Sequence, residues 1–156
     1  MDRVYSGNGE TGGPPIIVGT DGSERAEVAV ERASELGLAL GVAVHVVTSY
    51  DSTPVAAQVG SARGGLVDMA GAEDLRGEAE KIVERAGDRL RARGLSVVTH
   101  VSSDEPAHAL VAIADDERAQ MIVVGNRGMT GVRRALGSVP NRVSHQAHCG
   151  VLIVPT

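Results

Sequence analysis

The sequence predicts an α/β protein, a doubly wound parallel sheet with helices on both faces. Two observations carry this. Short apolar runs rich in Val and Ile alternate with longer segments whose apolar residues recur every three or four positions, giving the order β-α-β-α-β-α-β-α-β. The second run, residues 42–48 (VAVHVVT), is apolar on both alternating faces apart from His45, as expected of a parallel strand covered on both sides.

Each element follows from its residues. Residues 1–14 are Gly-rich and polar, offer almost nothing to bury, and read as a flexible tail before a single domain over 15–156. Gly7, Gly9 and Gly12 satisfy GxGxxG, but the dinucleotide fingerprint requires a preceding strand and a following helix, and neither is visible there. Ile16, Ile17 and Val18 form the first strand, which passes through Gly19, Thr20, Asp21 and Gly22 to Ser23, a good N-cap. Over 24–40, Ala26, Ala29, Val30, Ala33, Leu36 and Leu40 make the apolar stripe of the first helix, and Gly41 stops it. After the strand at 42–48, residues 51–72 hold four Gly with no period and read as a loop. Leu75, Ala79, Ile82, Val83, Ala86 and Leu90 define a helix over 73–93 that ends at Gly94. A strand at 96–101 follows, then a helix with Pro106 in its first turn ahead of Ala107, Leu110, Val111 and Ala114. Residues 121–124 make the fourth strand. Ser138 caps a last helix carrying Val139, Val143 and Ala147, and residues 151–154 (VLIV) form the fifth strand.

Composition removes several function classes. The net charge of −5 has the wrong sign for a protein whose affinity comes from neutralising a phosphate backbone, so no nucleic-acid partner is expected. Two Tyr with no Phe and no Trp leave no material for a base-stacking platform, an aromatic cation cage or a membrane-interface belt. Lys81 is the sole lysine and sits in neither a P-loop nor a Schiff-base context. A single Cys149 excludes an internal disulfide framework. No apolar run approaches the roughly 18 residues of a membrane span, and the first fifteen residues carry no signal-peptide segment, so a cytoplasmic chain is expected.

Chemistry is expected at the strand ends. Ligands of doubly wound sheets bind beyond the carboxyl ends of strands, where strand order reverses. The first strand runs into Gly19-Thr20-Asp21-Gly22-Ser23. The fourth runs into a segment from Gly125 to Ser138 with four glycines and three arginines (Arg127, Arg133, Arg134), and a helix starts at its end. Glycines let backbone N–H groups approach an anion, and a helix N-terminus adds unpaired donors and partial positive charge. The combination is a phosphate cradle that needs no lysine. The three arginines read equally well as solvated loop charges or as phosphate contacts.

These residues resemble the universal stress protein family. The resemblance rests on Gly125-xx-Gly128 followed by Gly137-Ser138, the opening IIVGTDGS (16–23), the HVV of the second strand (45–47) and the ending GSVPNRVSHQAHCGVLIVP (137–155), and it covers residues 15–155. It implies a Rossmann-like, five-stranded parallel sheet of order 3-2-1-4-5, a homodimer through the last strand (Val151 to Val154), and binding of ATP with Mg²⁺ or Mn²⁺. Carried over to this chain, Gly19, Thr20 and Asp21 would lie beside ribose and phosphates, with Asp21 able to hold the metal. The Val46 backbone would meet adenine. Gly125, Asn126, Arg127, Gly128, Gly137 and Ser138 would hold ribose and phosphates, flanked by Val139 and Pro140. One departure stands out: the segment from Met129 to Leu136 is one residue shorter than the family pattern. The deletion is either absorbed in the loop or shifts the phosphate donors.

The implied function is therefore an ATP-binding regulatory module of the stress response. Its alternatives are a slow ATPase, with a metal held by Asp21 polarising the γ-phosphate, and an interaction module that binds no ATP or takes another adenine nucleotide such as cyclic AMP. No GxSxG, HExxH, CxxC or Walker lysine is present, so no catalytic residue is assigned. His145, His148 and Cys149 match no zinc spacing and read as a helix end, and His45 reads as a hydrogen-bonded core histidine.

Overall fold

A computed structural model describes residues 4–6, 12–50, 69–126 and 138–156. Its elements are β1 (Val4–Ser6), β2 (Ile16–Gly19), α1 (Glu24–Leu40), β3 (Val44–Ser49), α2 (Met69–Ala92), β4 (Val97–Ser102), α3 (Pro106–Asp116), β5 (Met121–Gly125), α4 (Val139–Gln146) and β6 (Gly150–Val154). Strands β2 to β6 are parallel in the order β4-β3-β2-β5-β6, which is 3-2-1-4-5 counted over these five. The sheet is doubly wound as expected, with its reversal between β2 and β5.

Two segments differ from the sequence reading. Within the stretch read as a tail, β1 joins the outer edge of β4 in antiparallel register, Val4 opposite Thr99 and Ser6 opposite Val97. Adding a strand to an open edge requires backbone hydrogen bonds and little side-chain burial, so no hydrophobic pattern announces it. Helix α2 begins at Met69, inside the stretch read as loop. Its first turn lacks an apolar stripe but contains no proline to prevent helical geometry. Residues 51–68 lie outside the described residues, as do Gly7, Gly9 and the glycine-loop positions Arg127, Gly128, Arg133, Arg134 and Gly137.

The two faces of the sheet bury separate clusters. Ala29, Val30 and Ala33 of α1 and Val83, Ala86 and Leu90 of α2 pack on Ile16, Val18, Val44, Val46, Val97 and Val123. On the other face Ala107, Leu110, Ile113 and Ala114 of α3 and Val143 of α4 pack on Ile17, Val47, Ile122 and Val124. Strand alternation explains the partition, because residues i and i+2 of a strand share a face. With no Phe or Trp available, the core is built from Val, Ile, Leu and Ala. Among the described residues no helix is long and apolar enough to cross a membrane.

Helix ends fix how the chain returns to the sheet. Ser23 Oγ accepts the Ala26 N–H at 3.2 Å to start α1, and Gly41, at φ 66°, closes it in the left-handed conformation with its N–H bonded to Gly37 O.

Candidate functional site

The carboxyl ends of β2 and β5, neighbours at the reversal, open into a cleft of about 620 Å³ including its solvent-open mouth. Gly19, Thr20 and Asp21 follow β2, Val124 and Gly125 end β5, and Val139 and Pro140 start α4 along its walls. The two strand ends singled out in the sequence therefore converge, because the strand order makes them adjacent.

The turn after β2 is organised by its own side chains. Thr20 N–H donates to Val47 O at 2.9 Å, Thr20 Oγ1 accepts the Gly22 N–H at 3.1 Å, and Asp21 Oδ1 accepts the Ser23 N–H at 2.9 Å. Gly22 is at φ 77°, and a Cβ there would stand 3.1 Å from Ile82 of α2, so both backbone and space select glycine. Asp21 thus has a structural role as a turn-former and also borders the cleft, which leaves the metal-holding role compatible with the turn.

The remaining expected residues are placed as follows. Val46 is fully buried, on the α1–α2 face, and is not among the residues lining the cleft; the wall from β3 is supplied by Val47, Thr48 and Ser49. Asn126 Oδ1 accepts the Thr156 N–H and Oγ1, both at 3.0 Å, so its carboxamide ties down the chain end beside the cleft. Ser138 caps α4, its Oγ accepting the Asn141 N–H at 3.4 Å. Arg127, Gly128 and Gly137 lie outside the described residues.

Several lining residues are not visible as site residues in the sequence. Ala26, Pro106 and Leu110 join Val47, Thr48 and Ser49. Leu110 and Ala26 look like ordinary helix-stripe positions; the signal that could find them is their distance of about one turn from helix starts that face the carboxyl end of the sheet. The lining is largely apolar, with Thr20, Asp21, Thr48 and Ser49 as its polar groups. Such a surface suits the flat face of a heterocycle, with hydroxyls available for ribose or ring edges.

Three helices line the cleft with their first turns, α1 by Ala26, α3 by Pro106 and Leu110, and α4 by Val139 and Pro140, and these turns differ in charge. Helix α1 carries Glu24 and Glu27 in its first turn, and α3 is capped by Glu105, whose carboxylate accepts the His108 N–H at 3.2 Å. Only α4, of the three, begins without a carboxylate. Of its early amides, Pro140 has no N–H, Asn141 is engaged by Ser138 Oγ, and Arg142 N–H bonds Ser138 O at 3.1 Å. The Val139 N–H and the helix dipole are what α4 presents to an anion. Arg142 brings a guanidinium to the rim, where Nη1 pairs with Glu105 Oε2 at 3.1 Å.

His148 Nδ1 lies 3.1 Å from Asp115, and no grouping of metal donors includes His145, His148 or Cys149 among the described residues. Burial, reinforced by the Asp115 charge, raises the Cys149 thiol above its ordinary pKa. Cys149 is accordingly expected to react with iodoacetamide at pH 7 more slowly than a free cysteine, with the rate still climbing where free cysteine has levelled off. A profile matching free cysteine, read by intact mass against time, contradicts this.

The sequence profile of the Universal stress protein family matches residues 14–155. A universal stress protein of Methanocaldococcus jannaschii is 30% identical over 148 residues, covering 94% of this chain and 85% of the relative. Among solved structures, a universal stress protein in complex with cAMP is 32% identical with a TM-score of 0.66, covering 90% of this chain and 96% of that one. The universal stress protein of Archaeoglobus fulgidus in complex with dAMP is 29% identical with a TM-score of 0.63, again covering 90% and 96%.

Proposed function

The chain belongs to the universal stress protein family, and from that premise we propose that it is a nucleotide-dependent regulatory module of the stress response that binds ATP in the cleft between β2 and β5. The observation that carries this reading is what the cleft brings together: an apolar lining that includes Val47, Leu110 and Val124, and the carboxylate-free start of α4. The lining would hold adenine without aromatic stacking, which the composition makes necessary. Phosphates would lie toward Val139, Ser138 and the glycine loop, and the hydroxyls of Thr48 and Ser49 are available to the ribose or base edge.

A divalent ion accompanying the triphosphate fits the donors present. Asp21 supplies a hard carboxylate oxygen at the cleft, the type that Mg²⁺ and Mn²⁺ prefer, and its fixed turn pre-positions it. Bound there, the ion would screen phosphate charge from Asp21 and from the glutamates at the starts of α1 and α3. The family members solved with cAMP and dAMP support an adenine nucleotide as the ligand class. They also favour a second reading, in which the one-residue-shorter glycine loop suits a monophosphate such as cyclic AMP better than ATP.

Isothermal titration separates the two. ATP with Mg²⁺ is expected to bind with one site per chain and more tightly than cyclic AMP; the reverse order selects the second reading, and no heat from either at millimolar concentration overturns both. The module is further proposed to act in the cytoplasm as a homodimer through β6. That strand is the sheet's outer edge, and Ile153 is 42% exposed on it. Light scattering at micromolar concentration is expected to give twice the 16.1 kDa chain mass, and a monomer mass would refute the dimer.

A further inference from the structure

Away from the cleft, on the face covered by α3, two histidines and a glutamate come together. His45 of β3 and His100 of β4 are 5% and 1% exposed, and His45 Nδ1 lies 3.0 Å from His100 Nε2. Their rings are stacked with centroids 5.1 Å apart. Glu117, which caps the C-terminus of α3, brings a carboxylate oxygen so that one donor atom from each of the three residues lies within 4.8 Å of the other two. Register explains the meeting: His100 is opposite Val47, which shares its face with His45 two residues earlier. We infer that His45, His100 and Glu117 form a binding site for a borderline transition-metal cation of the Zn²⁺ type, separate from the nucleotide cleft.

The donor set and spacing fit that ion class. Zn²⁺ takes imidazole nitrogen and carboxylate oxygen at about 2.0–2.2 Å, which sets donor-to-donor edges of about 3.3 Å in a tetrahedral site. The two imidazole nitrogens, hydrogen-bonded to each other at 3.0 Å, are near that separation, and an ion would take the place of the proton they share, which moves to the other ring nitrogen or to solvent. Glu117 supplies the third donor within 4.8 Å of both, and water would complete the shell. Imidazole ligands disfavour Mg²⁺ and Ca²⁺.

A second observation concerns charge. Helix α3 ends in three consecutive carboxylates, Asp115, Asp116 and Glu117, has no basic residue in its last turn, and points its negative dipole end at the same place. Acidic residues at a helix C-terminus repel the carbonyl dipoles, and a cation at Glu117 relieves that repulsion. The position of Glu117 is fixed by the turn that follows: Arg118 N–H bonds Asp115 O at 3.1 Å and Ala119 N–H bonds Ala114 O at 2.8 Å, with Arg118 at φ 51° where glycine is usual. A ligand held on a backbone turn of this kind is pre-positioned.

The test uses the full chain and Zn²⁺ alone, titrated against a chromophoric chelator after the protein has been stripped of metal. One equivalent of Zn²⁺ is expected to bind and raise the melting temperature. Glu117→Gln and His100→Gln are each expected to weaken binding at least tenfold, while His148→Gln with Cys149→Ser leaves it unchanged. Glu117→Gln lies at a helix end and retains the side-chain volume, so it serves if His100→Gln fails to fold. Co²⁺ in place of Zn²⁺ is expected to give the visible absorption of a tetrahedral nitrogen and oxygen site. Absence of binding by the unsubstituted chain, affinity that survives Glu117→Gln, or affinity lost with His148 and Cys149 each overturns the assignment.

Discussion

Ser138→Asp is expected to weaken ATP binding by roughly ten- to a hundredfold while leaving the melting temperature within about 2 °C. Asp and Ser are equivalent as N-caps, so the substituted side chain still accepts the Asn141 N–H and α4 still starts at Val139. What changes is charge. A carboxylate about 4 Å from a phosphate oxygen experiences repulsion of about 4 kcal/mol at an effective dielectric near 20, and exposure at the cleft mouth reduces this to about 1.4–2.8 kcal/mol. The effect should vanish for adenosine, which carries no phosphate. Calorimetry with both ligands checks it; equal weakening of ATP and adenosine would show that phosphates do not lie at the start of α4. Of the three helix starts that line the cleft, those of α1 and α3 already carry glutamates, so the comparison isolates the one that does not.

The second large effect is on stability and runs against helix propensity. Gly37 lies inside α1, and a Cβ there would stand 2.6 Å from Val44 Cγ2 and 3.0 Å from Leu95 Cδ2. Val44 is fully buried, so it cannot turn aside cheaply. Gly37→Ala gains about 1 kcal/mol of helix propensity but overpacks this contact, for a net loss of about 1–2 kcal/mol, and Gly37→Leu should lose about 3 kcal/mol or more. Gly77 in α2 is the control, since a Cβ there meets nothing within 4 Å. Gly77→Ala is expected to gain about 0.5–1 kcal/mol. Urea unfolding of both variants measures the two signs; stabilisation by Gly37→Ala would mean that α1 does not approach β3 this closely.

These two glycines show where the sequence stops being legible. Both interrupt a helical period, and local pattern treats them alike. Only the approach of α1 to β3 makes one necessary and the other replaceable. The glycines after β2 and at the end of β5 behave differently, because their placement at strand ends is itself local information. Gly19 and Gly125 were identifiable as cleft residues before any contact was known, and the strand order then made them neighbours.

The alternation of strands and helices, the two-sided burial of β3, the caps Ser23 and Ser138 and the glycine stop at Gly41 were determined by the sequence alone, since each depends on residues within a few positions of one another. The tertiary structure decided what chain separation conceals. It set Val47, Thr48 and Ser49 at the cleft, brought Pro106 and Leu110 to its wall, joined β1 to the sheet edge, and put His45 against His100 across 55 residues. The reason is physical. Periodicity and capping are properties of a helix turn or a strand pleat, whereas which side chains meet across the sheet depends on strand order and register, and a one-residue change of register moves every side chain to the opposite face.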